Sequence, residues 1–214
     1  MGGRRNRSSR STTASSLNSI HSGSLPTRSA SCTFVSNPET EALNRAYVAR
    51  GLSPIPVRRA AAGNLLFTMA GPEQQNIEYT QYMPGSRHTN DRGKHLGANR
   101  ISDQIVAMSI EMQDPAAARA FYLDKLDFTP ARSPVPSLEA GQIWLGLPGQ
   151  SGQRVEIVQH APGTAFQLFF SVSDLRRTAA QLKALQIAIQ KNKSSLSIQD
   201  PDGNRLVFVK VKAA

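Results

Sequence analysis

Three stretches of this chain repeat one local pattern, and that self-similarity constrains the fold more than any single motif. Each opens with a short apolar strand ending in Asp or Asn: SCTFVSN at 31–37, VAMSIEMQD at 106–114 and QLFFSVSD at 167–174. Asn37, Asp114 and Asp174 are suited to cap a helix, because their side-chain oxygens can accept the free N–H groups of a first turn. Pro38 and Pro115 follow at the position where a missing N–H costs nothing. Helical spacing continues through Leu43, Ala46 and Tyr47, through Ala118, Phe121, Tyr122 and Leu126, and through Leu175, Ala179, Leu182 and Leu185. Each unit then runs through two strands and a turn into a closing strand. The turn is clearest in Asp200-Pro-Asp-Gly-Asn204, where Pro fixes φ and Gly accepts a positive one. The plan is strand, helix, strand, strand, strand, three times over, and it predicts an α+β protein whose helices pack on sheets.

Composition narrows the class. The chain has 214 residues, is 39% hydrophobic and carries a formal charge of +10. It can build a core, and no apolar run approaches the roughly 18 residues of a spanning helix, so a soluble protein without a membrane partner is expected. The single cysteine, Cys32, excludes an intramolecular disulfide framework and a zinc site built on thiolates. Residues 1–29 hold Arg4, Arg5, Arg7, Arg10 and Arg28 with nine serines and no acid, which reads as a disordered basic tail. A cytoplasmic location is expected, with a transit peptide as the alternative reading of the tail. Nucleic acid is not the expected partner, because the tail has no aromatics to stack on bases.

The phrase at 114–128, DPAAARAFYLDKLDF, together with Asp200-Pro-Asp-Gly-Asn204, resembles the vicinal oxygen chelate superfamily of glyoxalases, bleomycin-resistance proteins and extradiol dioxygenases. The stretch 71–102 is similar to the linker of bacterial members with four modules. The resemblance covers residues 30–212 and implies modules two, three and four without the first. It implies repeated βαβββ modules, with paired modules forming a curved mixed sheet around a cleft. The expected organisation is a tail at 1–29, an unpaired module at 30–84, a linker at 85–102 and a two-module domain at 103–212. That last boundary predicts a fragment able to fold alone.

In such a family a divalent metal is held by His, Gln or Glu on the first and last strands of paired modules. Carried onto this chain, the resemblance puts Ala107 and Glu156 at the two positions of one module and Gln167 and Val207 at those of the next. Glu156 and Gln167 are the metal candidates, with Gln104, Glu111 or Gln159 as a needed extra donor. Glu78 keeps the closing-strand carboxylate of the unpaired module, opposite Ala30. His88 and His95 lie in a basic linker, His160 in a loop and His21 in the tail, and no two share an element at ligand spacing. Trp144 could line either the cleft or the outer core, whereas Phe121 and Tyr122 fall on the apolar stripe of their helix.

Two apolar ligand positions out of four favour a degenerate member that binds a small molecule in the cleft of 103–212 and holds no metal. One alternative is a lyase or ring-cleaving dioxygenase using Fe, Mn, Ni, Co or Zn on Glu156 and Gln167. Another is a truncated, non-catalytic protein that forms a homodimer through its unpaired module. No catalytic residue and no organic cofactor is legible, since no phosphate loop or dinucleotide fingerprint occurs.

Overall fold

The computed structural model describes residues 33–36, 39–102, 104–135, 141–149, 152–161 and 166–210. The tail, Ala30, Cys32, Asn37 and Pro38 lie outside them. Two mixed sheets carry the fold. The smaller contains β1 (Thr33–Ser36), β2 (Arg58–Arg59), β3 (Leu65–Ala70) and β4 (Asn76–Gln81), in the order β1-β4-β3-β2, with α1 (Thr40–Ala49) after β1. A short helix α2 (Arg87–Asp91) lies in the segment that leads to the larger sheet.

The larger sheet combines two units of the same plan. The first comprises β5 (Ile105–Met112), α3 (Pro115–Leu126), β6 (Thr129–Pro130), β7 (Ile143–Gly146) and β8 (Arg154–Gln159). The second comprises β9 (Gln167–Ser171), α4 (Leu175–Ala184), β10 (Gln190–Lys191), β11 (Ser195–Gln199) and β12 (Arg205–Val209). The eight strands run β10-β11-β12-β9-β5-β8-β7-β6, so the units meet where β5 pairs antiparallel with β9. In each unit the first strand pairs parallel with the last, which needs the intervening helix as a crossover. No helix among the described residues is long and apolar enough to cross a membrane.

Local chemistry sets the helix ends. The Asp114 carboxylate accepts from Ala117 N at 2.9 Å with Pro115 at the first helical position, and Asp174 accepts from Arg176 N at 2.6 Å and Arg177 N at 3.0 Å. α3 stops at Asp127, whose φ of 58° is left-handed, and Phe128 N donates to Tyr122 O at 3.2 Å. The Phe128 ring then packs on Tyr122, with centroids 5.0 Å apart. α4 ends one residue before Leu185, which is exposed rather than part of the buried stripe. In the last turn, Asp200 accepts from Asp202 N, Asn204 N and the Asn204 amide at 2.8–3.0 Å, and Gly203 takes a φ of 87°.

The first unit is not an independent appendage. Its buried Tyr47, Phe67, Met69, Ile77 and Tyr79 share one core with Ile110, Met112, Ala118, Tyr122, Leu126, Val155 and Ile157. Tyr47 Oη donates to Leu126 O at 3.3 Å, Arg50 pairs with Asp127 at 2.8 Å, and the Glu73 carboxylate accepts from Gln113 N and Asp114 N at 2.9 Å. Buried Gln75 donates to Tyr122 Oη at 3.1 Å and receives Glu73 N at 2.9 Å. The α1 side of the small sheet therefore sits on the α3 side of the large one, and the fragment 103–212 would leave part of this shared core uncovered.

Gly71 tests the junction. A Cβ there would stand 2.5 Å from the Gln75 amide, which would have to leave Tyr122. Gly71→Ala is expected to destabilise the chain by about 1–3 kcal/mol, the cost of an unmade buried hydrogen bond, measured by urea unfolding. Removing residues 1–101 should uncover the Tyr122 and Leu126 side of α3 and give a fragment that melts below the full chain or aggregates. A monomeric fragment with an unchanged melting temperature would show the units to be independent.

Candidate ligand-binding cleft

Alternation along the strands gives the large sheet an outer face under α3 and α4 and an inner face that carries no helix among the described residues. Val155 and Ile157 of β8 enter the core beneath α3, which turns Glu156 between them inward. Register then builds the site. Trp144 and Ser109 lie beside Glu156 on either side, and Gln167 lies beside Arg205, which lies beside Gln199. The two halves of this row are joined where Ser109 Oγ accepts from Gln167 N at 2.8 Å. In the next row Phe169 stands between Ala107 and Val207, with Ser197 beyond Val207. Ser195 pairs with Val209 one step further along the same face.

Trp144 and Phe169 explain the burial of Glu156. Their strands are separated by β8 and β5, about 14 Å across a flat sheet. The ring centroids nevertheless lie 5.3 Å apart, edge to face at 73°. The two rings reach toward each other over the inner face, above the small side chains of Ala107 and Ser109, and they join Val106, Val135, Val207 and Val209 in an apolar cluster. Trp144 thus lies on the inner face, not in the outer core.

Under this roof Glu156 is fully buried, and neither carboxylate oxygen has a hydrogen-bond partner. Burial pushes its pKa up from 4.5 to about 7, with the Arg205 guanidinium opposing the rise. Four residues supply every buried side-chain polar atom without a partner among the described residues: Glu156, Ser195, Ser197 and Arg205 through its Nε. All four belong to strands of this sheet at inner-face positions. Unmade hydrogen bonds of this kind cost about 1–3 kcal/mol each and are few in native proteins, so their concentration on one face marks a site.

The structure brings Ala107, Glu156, Gln167 and Val207 onto this one face, in two adjacent rows. Glu78 stands apart, half-buried in the small sheet, with Oε1 accepting from Thr80 Oγ1 at 2.8 Å. The further donors do not assemble around Glu156 and Gln167. Gln104 is exposed, and Gln159 donates to Gln113 O at 2.8 Å. Glu111 pairs with His160 at 2.9 Å one row along β5, His88 contacts Asn64 at 2.7 Å, and His95 is exposed. No group of three or more His, Cys, Asp or Glu able to hold a metal occurs among the described residues.

Divalent transition metals at open sites usually take three protein donors. Here one carboxylate and one amide are offered, Ser109 Oγ is engaged by the Gln167 N–H, and the cationic Arg205 stands in the same row. This donor set does not fit such an ion. Sequence reading missed Ser109, Ser195, Ser197 and Arg205. Counting by twos from Val207 would have found Arg205 and Val209, but the β11 serines needed the register.

The family model described as Glyoxalase/Bleomycin resistance protein/Dioxygenase superfamily matches residues 104–208. No curated protein matches the sequence. Among solved structures, the chain is similar to a Mn(II)-bound glyoxalase from Novosphingobium aromaticivorans, at a TM-score of 0.58 and 14% identity over 84% of this chain and 61% of that one. It is also similar to 2,2',3-trihydroxybiphenyl 1,2-dioxygenase from Sphingomonas wittichii strain RW1, at 0.57 and 13% over 86% and 71%. Homoprotocatechuate 2,3-dioxygenase from Arthrobacter globiformis matches at 0.56 and 16% over 83% and 61%. The chain thus spans between 61% and 71% of the length of these proteins, and the likeness is one of fold.

Glu156 generates a pH prediction. Its native pKa exceeds the unfolded one, so the native state binds the extra proton between these values and stability falls as pH rises through that window. A move from 4.5 to about 7 corresponds to a loss of about 3 kcal/mol, complete above the upper value. Glu156→Gln should remove this fall, leaving stability flat from pH 5 to 8, as read from urea unfolding at a series of pH values. Parallel profiles for both proteins would contradict the buried, unpaired state of the carboxyl.

Proposed function

Residues 104–208 of this chain belong to the Glyoxalase/Bleomycin resistance protein/Dioxygenase superfamily, and from that membership we propose that the protein binds a small organic molecule on the inner face of its eight-stranded sheet without a resident divalent metal. The observation that carries this reading is the set of buried, unpartnered polar atoms on Glu156, Ser195, Ser197 and Arg205. A ligand whose polar groups meet these atoms would replace the hydrogen bonds that water made in the unfolded chain. Trp144, Phe169, Val135 and Val207 supply the apolar wall that small-molecule sites generally have. The loss of two of four ligand positions to Ala107 and Val207, with Arg205 close by, supports binding without metal chemistry.

The similar dioxygenases and the Mn(II)-bound glyoxalase define the competing reading, a metal-dependent lyase or ring-cleaving enzyme. Glu156 and Gln167 on either side of Ser109 are the feature that favours it. Elemental analysis separates the two. Full-length protein purified without a metal-binding tag, then dialysed against Mn, Fe, Ni, Co or Zn, is expected to retain no stoichiometric metal while remaining folded. About one ion per chain, lost in Glu156→Ala, would establish the metal-dependent reading instead.

A further inference from the structure

The unpartnered atoms at the β11–β12 end of the cleft have a common chemical demand. Ser195 and Ser197 are each 1% exposed, and their hydroxyls find no partner. Ser197 faces Val207 across the β11–β12 pair, which sets Arg205 diagonal to it, about 7–8 Å away between Cα atoms and within reach of a long side chain. The Arg205 Nε–H is buried and unpartnered. Arginine donates and never accepts, and a serine hydroxyl can turn to donate, so Arg205 and Ser197 together ask for an acceptor oxygen, while Ser195, opposite Val209, lies one row further along the strand.

Charge points the same way. The strand neighbours of Arg205 are Gln167 and Gln199, both neutral amides. Of the two preceding acids, Asp202 is exposed, and Asp200 spends both oxygens on Asp202 N, Asn204 N and the Asn204 amide. Glu156 acts on Arg205 through space but makes no hydrogen bond to it or to any other group. The guanidinium therefore lacks the hydrogen-bonded carboxylate that buried arginines ordinarily carry.

We propose that this end of the cleft is an anion subsite, in which Arg205 and Ser197 receive the carboxylate of a small organic acid whose apolar body lies against Trp144 and Phe169. The assignment rests on the cleft-binding function above and adds its ligand class. Guanidinium recognises carboxylate through planar, charge-assisted hydrogen bonds, and the edge-to-face ring pair offers an aromatic body a matching surface.

Trp144 is the only tryptophan, so its fluorescence reports the cleft directly. The probes are benzoate and benzamide, equal in size and shape and different in charge, titrated into the full chain with calorimetry in parallel. Benzoate is expected to bind at least about tenfold more tightly than benzamide, the difference a charged hydrogen bond makes. Arg205→Met should erase that preference, Arg205→Lys should keep part of it, and Ser197→Ala should weaken benzoate while sparing benzamide. Thermal melts of each variant confirm that it is folded. Equal binding of both probes, or undiminished benzoate binding by folded Arg205→Met, overturns the anion subsite and leaves the cleft-binding function standing. Saturable binding of neither probe overturns both.

Discussion

The antiparallel pairing of β5 with β9 is the contact on which the site depends. Each βαβββ unit covers one face of its own four strands with a helix, and among the described residues the other face carries none. Joining first strand to first strand makes eight strands continuous and merges these two faces into one. The irregularity between Ile105 and Ala107 falls at this seam, where a bulge bends a sheet and re-aims side chains. Across the seam Phe169 comes beside Ala107, and its ring extends to Trp144. Residues far apart in the chain, from Ser109 to Arg205, share a surface only because of this pairing.

That surface is energetically uncompensated in the protein alone. Elsewhere the polar groups are well served: Asp114, Asp174 and Asp200 satisfy backbone N–H groups, Gln75 bridges Glu73 N and Tyr122 Oη, and Glu73 holds two amides of the next unit. The inner face keeps a buried carboxyl, two hydroxyls and a guanidinium nitrogen without partners. The capping and junction groups are satisfied, whereas four residues of the inner face are unpaired among the described residues, and the proposed ligand binding rests on that contrast.

Much of the architecture was legible because it is written in local chemistry. Asp-Pro at 114–115 and Asp-Pro-Asp-Gly-Asn at 200–204 act through bonds a few residues long, so spacing alone locates the helix start and the turn. The inward position of Glu156 follows from alternation with Val155 and Ile157. The roles of Ser195 and Ser197 were not legible, because two serines in a strand carry no signal until the register pairs them with Val207 and Val209. Trp144 was ambiguous for the same reason, since alternation says that it differs from Ile143 and Leu145 without saying which side is the cleft.

By itself, then, the sequence determined the units: their order of elements, their caps and turns, and the residues of each strand that share a face, all of which are set by short-range sterics and hydrogen bonding. Tertiary structure decided how the units meet. It docked the first unit on α3 through Tyr47, Gln75 and Arg50. It also gathered Glu156, Arg205 and the β11 serines beneath the Trp144–Phe169 roof. Those juxtapositions depend on strand register and on apolar surfaces meeting across long stretches of chain, and no local spacing encodes them.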